Sequence, residues 1–270
     1  MLWRDIATTE PISRNQVKPH LWNIPVANLH QGQNIIWIQV QGNQIQKSGI
    51  GHVALGNYAQ MYKLYNSWLL EKQTLPYFNA MINTVIGLFC LLVWAISRKE
   101  SAFFWFAMVS FLWVAYSSMV VYSDPIPFLS STQLERIQNI IFCFYVTIGC
   151  LGAWRFAGFH FPRMEKALFC FAIIASTCIA LSPVEYAAQV IQGFFSITVL
   201  IFIAKCISYP YFAYKSRLPE TYFLAVTYLV FIPIAIHDAI FMSTLQGKPL
   251  SPYTAPFSSA VIGFVLAFRL

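Results

Sequence analysis

The sequence predicts a mostly α-helical membrane protein, a bundle of seven transmembrane helices preceded by a partial extracytoplasmic β segment. Of the 270 residues, 58% are hydrophobic and 10% are charged, whereas soluble proteins average about 25% charged residues. Seven apolar stretches approach the roughly 20 residues that cross a bilayer. Residues 1–75 are more polar and carry a strand-like pattern. This division leaves no room for a soluble catalytic domain of ordinary size.

The polar segment 1–56 is predicted to be the end of a β structure. Residues 31–34 (QGQN) favour a turn, and a strand over 35–40 follows, with Ile36, Ile38 and Val40 on one face. A second short strand is predicted over 50–55. Two or three strands cannot bury a core by themselves, so we expect an incomplete sensor domain.

A connecting amphipathic helix is predicted over 57–75. Tyr58, Tyr62, Tyr65 and Leu69 recur at helical spacing and form an aromatic stripe on one face. The stripe is explained either by packing against the strands or membrane surface, or by transmission of movement to the first membrane helix. Both interpretations remain open at the level of sequence.

The transmembrane domain is predicted over 76–270. Pro76 suits the first turn of its first helix, where a missing amide hydrogen has no cost. The expected membrane helices span 76–97, 101–122, 134–156, 167–182, 186–208, 221–243 and 253–268.

The basic residues predict the orientation, because cytoplasmic loops are enriched in Lys and Arg. Arg136 and Lys248 fall in loops on the opposite side from the other cations. The predicted inner side carries Arg98, Lys99, Arg155, Arg163, Lys166, Lys205, Lys215, Arg217 and Arg269. The N-terminus is therefore expected outside and the C-terminus inside. These cations form no continuous basic face, so the charge of +7 points to the lipid bilayer and not to nucleic acid.

Ionisable residues inside the membrane are the default candidates for function, because each is expensive in hydrocarbon. His237 and Asp238 follow Pro233 in the predicted sixth helix, and they suit either an interhelical polar cluster or a ligand- or proton-sensing role. Asn79, Asn83 and Asn139 are further intramembrane polar candidates, for which helix packing is the simpler role.

No catalytic or metal-binding template is present. P-loop, HExxH and GxSxG sequences are absent. The six cysteines lie in or beside apolar stretches, where free cysteines act as small hydrophobes. The predicted seventh helix has no lysine that could form a retinal Schiff base.

A family resemblance rests on a series of short segments. The segments LWRD (2–5), EPISR (10–14), LWNIP (21–25), GQNIIWIQVQG (32–42), GIGHVALG (49–56), QTLPYFN (73–79) and LFCLLVWAISRKES (88–101) occur in this order. The chain thereby resembles bacterial seven-transmembrane receptors with diverse intracellular signalling modules, and is most similar to the sensor histidine kinases among them. His237, Asp238 and the closing Phe268 and Arg269 also look similar to that family's last two helices.

The resemblance implies a jelly-roll-like sensor over 1–56 that binds an extracytoplasmic ligand, a bacterial inner-membrane location and a homodimer. It also implies an output domain beyond Leu270, a histidine kinase that uses ATP and Mg²⁺ and passes phosphate to a response regulator. This chain itself is expected to hold no cofactor and no kinase activity, and to be truncated at both ends, since Arg4 and Asp5 interrupt any signal-peptide core. A diguanylate cyclase output and a channel or transporter remain alternatives.

Overall fold

The computed structural model describes residues 7, 9–13, 18–42, 52–99, 101–244, 250 and 261 of the chain. Helices dominate the described residues. A short 3₁₀ helix spans Val26–Asn28, and a π-helical segment spans Leu70–Thr74. The α-helices are α1 Tyr58–Leu69, α2 Leu75–Ile96, α3 Ser101–Val121, α4 Ser131–Phe156, α5 Pro162–Leu181, α6 Val184–Ser216 and α7 Pro219–Thr244.

Among the described residues, six helices are long and apolar enough to cross a membrane. They are Tyr58–Ile96, Ser101–Val121, Ser131–Phe156, Pro162–Leu181, Val184–Ser216 and Pro219–Asp238. These lengths and compositions are those of a multi-pass membrane protein whose apolar faces contact lipid. The predicted seventh span, 253–268, lies outside the described residues except for Val261, which packs against the core of the bundle.

The predicted strands are not found in the described part of the N-terminal segment. Residues 33–42 and 52–57 have no regular secondary structure, and Trp37 is 91% exposed. An extended segment becomes a strand only when its backbone pairs with a neighbour, and the described residues supply no such partner. Positions 50 and 51 of the second predicted strand lie outside them.

The connecting helix and the first membrane helix form one continuous helix from Tyr58 to Ile96. Asn57 caps its start by accepting a hydrogen bond from the amide of Ala59 at 3.1 Å. Pro76 lies in the first turn of α2, as the sequence predicts. The π-helical segment Leu70–Thr74 precedes it and joins α1 to α2 without a break. A π bulge is one way for a long helix to change its hydrogen-bond register without breaking.

Helix α4 is the centre of the bundle. Two thirds of its most apolar stretch is buried, compared with a third or less in the other five spans. Gly152 of α4 permits close packing against α3, because a Cβ atom there would lie 3.1 Å from Cβ of Trp105. The largest core cluster joins α2, α3, α4, α6 and α7 around Phe103, Phe156 and Tyr209.

Alternating helix directions bring the turns after α2, α4 and α6 to one end of the bundle. The cations predicted to set the orientation lie at this basic end: Arg98, Lys99, Arg163, Lys166, Lys215 and Arg217. Aromatic rings accompany them, with Arg98 4.0 Å from the ring centre of Trp94 and Lys215 5.8 Å from that of Phe159. Such pairing of cations with aromatic side chains is typical of a membrane interface.

Candidate functional site

A buried lysine is the principal functional candidate inside the bundle. Lys205 lies in α6 and is 7% exposed. The sequence counts Lys205 among the inner-side cations, close to the end of the predicted span 186–208. Because α6 continues to Ser216, Lys205 lies well inside a membrane-length helix. The signal that could have identified it is the uninterrupted apolar sequence on both sides, FIAKCIS over 202–208.

The ammonium group of Lys205 lies between two aromatic rings. Its Nζ is 4.3 Å from the ring centre of Tyr228 in α7 and 4.6 Å from that of Phe202, one turn earlier in α6. Gly149 of α4 lines a third side, since a Cβ added there would lie 3.6 Å from Nζ. We call these four residues the lysine cage.

The direction of the side chain keeps the charge inside the bundle. Helical side chains point toward the N-terminus of their helix, and Phe202 precedes Lys205. The chain of Lys205 therefore runs away from the basic end and does not snorkel toward it. Gly149, beside the ammonium, lies about two turns, or roughly 10 Å, inside the end of α4.

The electrostatic surroundings of Lys205 are unusual for a buried cation. Within the described residues, its ammonium forms no ion pair or hydrogen bond with a side chain. Burying an ion destabilises a protein by several kcal/mol, whereas a desolvated cation–π contact stabilises it by about 2 kcal/mol. Tyr145, Cys150 and Cys206 are its other electrostatic neighbours. The cage thus places a basic side chain in an apolar setting.

Asn79 and Asn83 are placed together in the structure, and both are buried. Nδ2 of Asn83 donates to Oδ1 of Asn79 at 2.6 Å, and Nε1 of Trp113 in α3 donates to the same oxygen at 3.3 Å. We call these three residues the asparagine cluster. It joins α2 to α3 by hydrogen bonds, the role expected of amides in membrane bundles.

Asn139 is not part of that cluster. It is buried in α4, and its Nδ2 donates to the backbone carbonyl of Glu135 in the same helix at 2.9 Å. This bond satisfies the amide but does not link two helices. The structure therefore does not bring the three asparagines into one site.

His237 and Asp238 lie near the end of α7 opposite the basic end. Nδ1 of His237 is 3.2 Å from Oδ1 of Asp238, which also accepts the amide of Leu250 at 2.7 Å. The His237 side chain is 45% exposed. Tyr116 of α3 and Glu135 of α4 lie near this end as well. This pair is separate from the lysine cage.

No family model, curated protein or solved structure matches this chain. Its own geometry is therefore the basis for a function.

The described residues offer no metal centre, because they contain no group of three His, Cys, Asp or Glu side chains that could hold an ion. The six cysteines are free thiols. Arg155 and Glu165 form an ion pair at 2.7 Å near the basic end, which joins α4 to the start of α5.

The predicted aromatic stripe lies on an exposed part of α1. Tyr58 and Tyr62 are 62% and 47% exposed, and their rings stack with centres 5.8 Å apart. Tyr65 is partly buried. Strands do not cover these rings within the described residues, so the stripe remains an open surface beside the continuous helix.

A contact that the sequence did not indicate links the N-terminal segment to α4. Glu10 Oε2 accepts the amide of Ser131 at 3.1 Å, and the amide of Ile12 donates to Oγ of Ser131 at 3.2 Å. Ser130 and Gln133 form a capping box at the same helix start. The polar segment thereby touches the most buried helix directly.

Proposed function

We propose that this chain is the membrane input region of a bacterial signal-transduction receptor, which passes changes in its outer segment to an output domain on the other side of the membrane. The observation that carries the proposal is the continuous helix Tyr58–Ile96. A helix without a break links rotation or translation outside the membrane to movement within the bundle.

A second contact supports the same direction of coupling. Glu10 and Ile12 hold the N-terminal segment on Ser131, at the start of the central helix α4. An event that moved this segment would therefore act on α2 through the continuous helix and on α4 through Ser131. Both helices end near the basic end, where an output domain would receive the movement.

The proposed location is the bacterial inner membrane, with the polar segment outside and the basic end in the cytoplasm, as the positive-inside rule favours. An extracytoplasmic ligand would act on the outer segment, and two copies of the chain would form the receptor. In this proposal the output is a histidine kinase, which binds ATP and Mg²⁺ in a domain beyond Leu270 and phosphorylates a response regulator.

The DNA that flanks this reading frame tests the choice of output. A phosphoacceptor histidine box and an ATP-binding domain in frame after Leu270 would support the kinase. A diguanylate cyclase domain there would retain the receptor but replace the output. A stop codon directly after Leu270, in a gene whose product is made at this length, would contradict a receptor with its own output domain.

The lysine cage also keeps a second function open, that of a channel or transporter, because intramembrane charges mark ion and substrate pathways. A flux assay in proteoliposomes separates the two functions. If Lys205→Met abolished a flux that the unmodified protein shows, transport would be supported. Unchanged flux together with altered signalling would contradict it.

A further inference from the structure

We propose that the lysine cage binds the anionic head of a lipophilic ligand, with the carboxylate of a long-chain fatty acid as the representative chemistry. The proposal does not depend on the receptor hypothesis, because it concerns only what Lys205 can bind. Its starting point is a cation that is buried between Phe202 and Tyr228 and has no carboxylate partner among the described residues.

The ammonium of Lys205 favours an anionic ligand. Ring faces stabilise an ammonium, but they do not neutralise it. A buried cation is normally accompanied by a counter-ion. A ligand carboxylate would supply the charge that the surrounding helices lack.

The surroundings select a lipophilic molecule over a small ion. The cage consists of two aromatic rings and a glycine, and the phenol of Tyr145 and the thiols of Cys150 and Cys206 lie within electrostatic range of the ammonium. An inorganic anion entering this site would lose its water and gain few hydrogen-bond donors. An acyl chain, in contrast, is compatible with the hydrophobic core to which Tyr228 belongs and against which Phe202 packs.

Gly149 leaves room beside the ammonium. An alanine Cβ at this position would reach ordinary contact distance from Nζ, 3.6 Å. Because residue 149 is a glycine, its position places no side chain against the ammonium. The same α4 surface near Gly152 is already filled by Trp105.

Binding of cis-parinaric acid, a fluorescent long-chain carboxylic acid, tests the site in the full chain reconstituted in lipid nanodiscs. We expect a saturable component above simple partition into lipid. It should be weakened about 30-fold or more in Lys205→Met, the loss typical of removing one partner of a buried charge pair. Lys205→Arg keeps the cation and should retain most of the binding. Lys215→Met, at the exposed basic end, is the matched control and should leave it unchanged.

Two further probes identify the chemistry. The methyl ester of the same acid lacks the charge and should show no saturable component that depends on Lys205. Bromide tests the small-ion alternative: if bromide bound to the cage and displaced the acid as readily as oleate does, the occupant would be a small anion and the proposal would be overturned.

A second variant covers the case in which Lys205→Met fails to fold. Gly149→Ala keeps the charge and adds one methyl group against it, so it should fold and weaken parinarate binding severalfold. Equal binding of the acid to the unmodified protein and to every folded variant would overturn the proposal.

Discussion

The asparagine cluster and the lysine cage both bring polar side chains into the apolar part of the bundle, but they differ in the hydrogen bonds that those side chains form. Asn79 accepts hydrogen bonds from Asn83 and from Trp113 on a neighbouring helix. Lys205 meets only ring faces and a glycine on its three described sides. The hydrogen bonds of the asparagine cluster account for its polar side chains as helix packing. The contacts of the lysine cage, in contrast, give no packing reason for a basic side chain at position 205.

The comparison predicts opposite effects on stability. A satisfied polar cluster stabilises the fold, so its removal should destabilise the protein. A buried charge that serves function is often held at the expense of stability, so its removal should stabilise the protein. The following variants test this contrast.

Lys205→Met should give the largest effect. Methionine fills a similar volume without the charge, and we expect the free energy of unfolding to rise by about 1 to 4 kcal/mol. Unfolding in mixed micelles with increasing dodecyl sulfate measures the change. The control, Lys215→Met at the exposed basic end, should stay within about 0.5 kcal/mol of the unmodified protein. A loss of stability in Lys205→Met would mean that the cation–π contacts hold the bundle together.

Asn79→Leu should lower the free energy of unfolding by about 0.6 to 2 kcal/mol, because two donors lose their shared acceptor. The same micelle titration measures it. Asn139→Leu is the matched control and should cost less, since its hydrogen bond stays within α4. If both variants had equal effects, the interhelical bonds of the asparagine cluster would carry no special stability.

Gly152→Ala and Gly149→Ala form a third test within one helix. The new methyl group would come 3.1 Å from Cβ of Trp105 in the first variant but 3.6 Å from Nζ of Lys205 in the second. Gly152→Ala should therefore destabilise the protein by about 1 kcal/mol. Gly149→Ala should stabilise it by about 0.5 kcal/mol through its helix propensity. Thermal unfolding followed by circular dichroism distinguishes the two, and the reverse order would contradict the described packing of α4.

Glu10→Gln should have the smallest effect. The variant keeps an acceptor for the amide of Ser131 but loses the charge at the N-terminus of α4, a loss of about 0.3 to 1 kcal/mol at low salt. The effect should shrink at high salt because of screening. Asp124→Asn, an exposed carboxylate at the same end, is the control. An effect that did not change with salt would argue against the helix-dipole contribution.

The sequence predicted the six membrane helices of the described residues because their signal is local. Each span is a long apolar stretch, and composition alone reveals it. The observed ends differ most for α6, which continues eight residues past the predicted Ser208, because Pro210 does not stop it. A proline can remain inside a membrane helix when neighbouring groups compensate for the missing amide.

The sequence was less informative where structure depends on partners. The strand at 35–40 was predicted from alternation, but a strand also needs a neighbour, and the described residues provide none. Pro76 was correctly predicted in the first turn of the first membrane helix, but the π-helical segment that joins this helix to α1 was not predicted. The contact between Glu10 and Ser131 joins residues 121 positions apart, a separation that no local pattern reveals.

The side-chain contacts of the candidate site could likewise be predicted only in part from the sequence. Asn79 and Asn83 could be paired from their spacing, but the bond from Trp113 could not. Lys205 was counted only as an inner-side cation, although the predicted span 186–208 contains it, because the sequence does not show how deeply its side chain is buried. Only the structure shows that Phe202, Tyr228 and Gly149 surround its ammonium, which makes it a functional candidate.

Alanine insertions between Lys72 and Gln73 test most directly whether the continuous helix transmits a signal. In the complete receptor, two alanines would turn the outer segment by about 200° relative to α2, whereas seven would return it to within about 20° of its original direction. The measured quantity is output activity in membranes, as autophosphorylation from ATP if the output is a kinase. We predict that two alanines lock the output on or off and that seven restore its regulation. Output that responds normally to its stimulus with both insertions would contradict transmission through this helix.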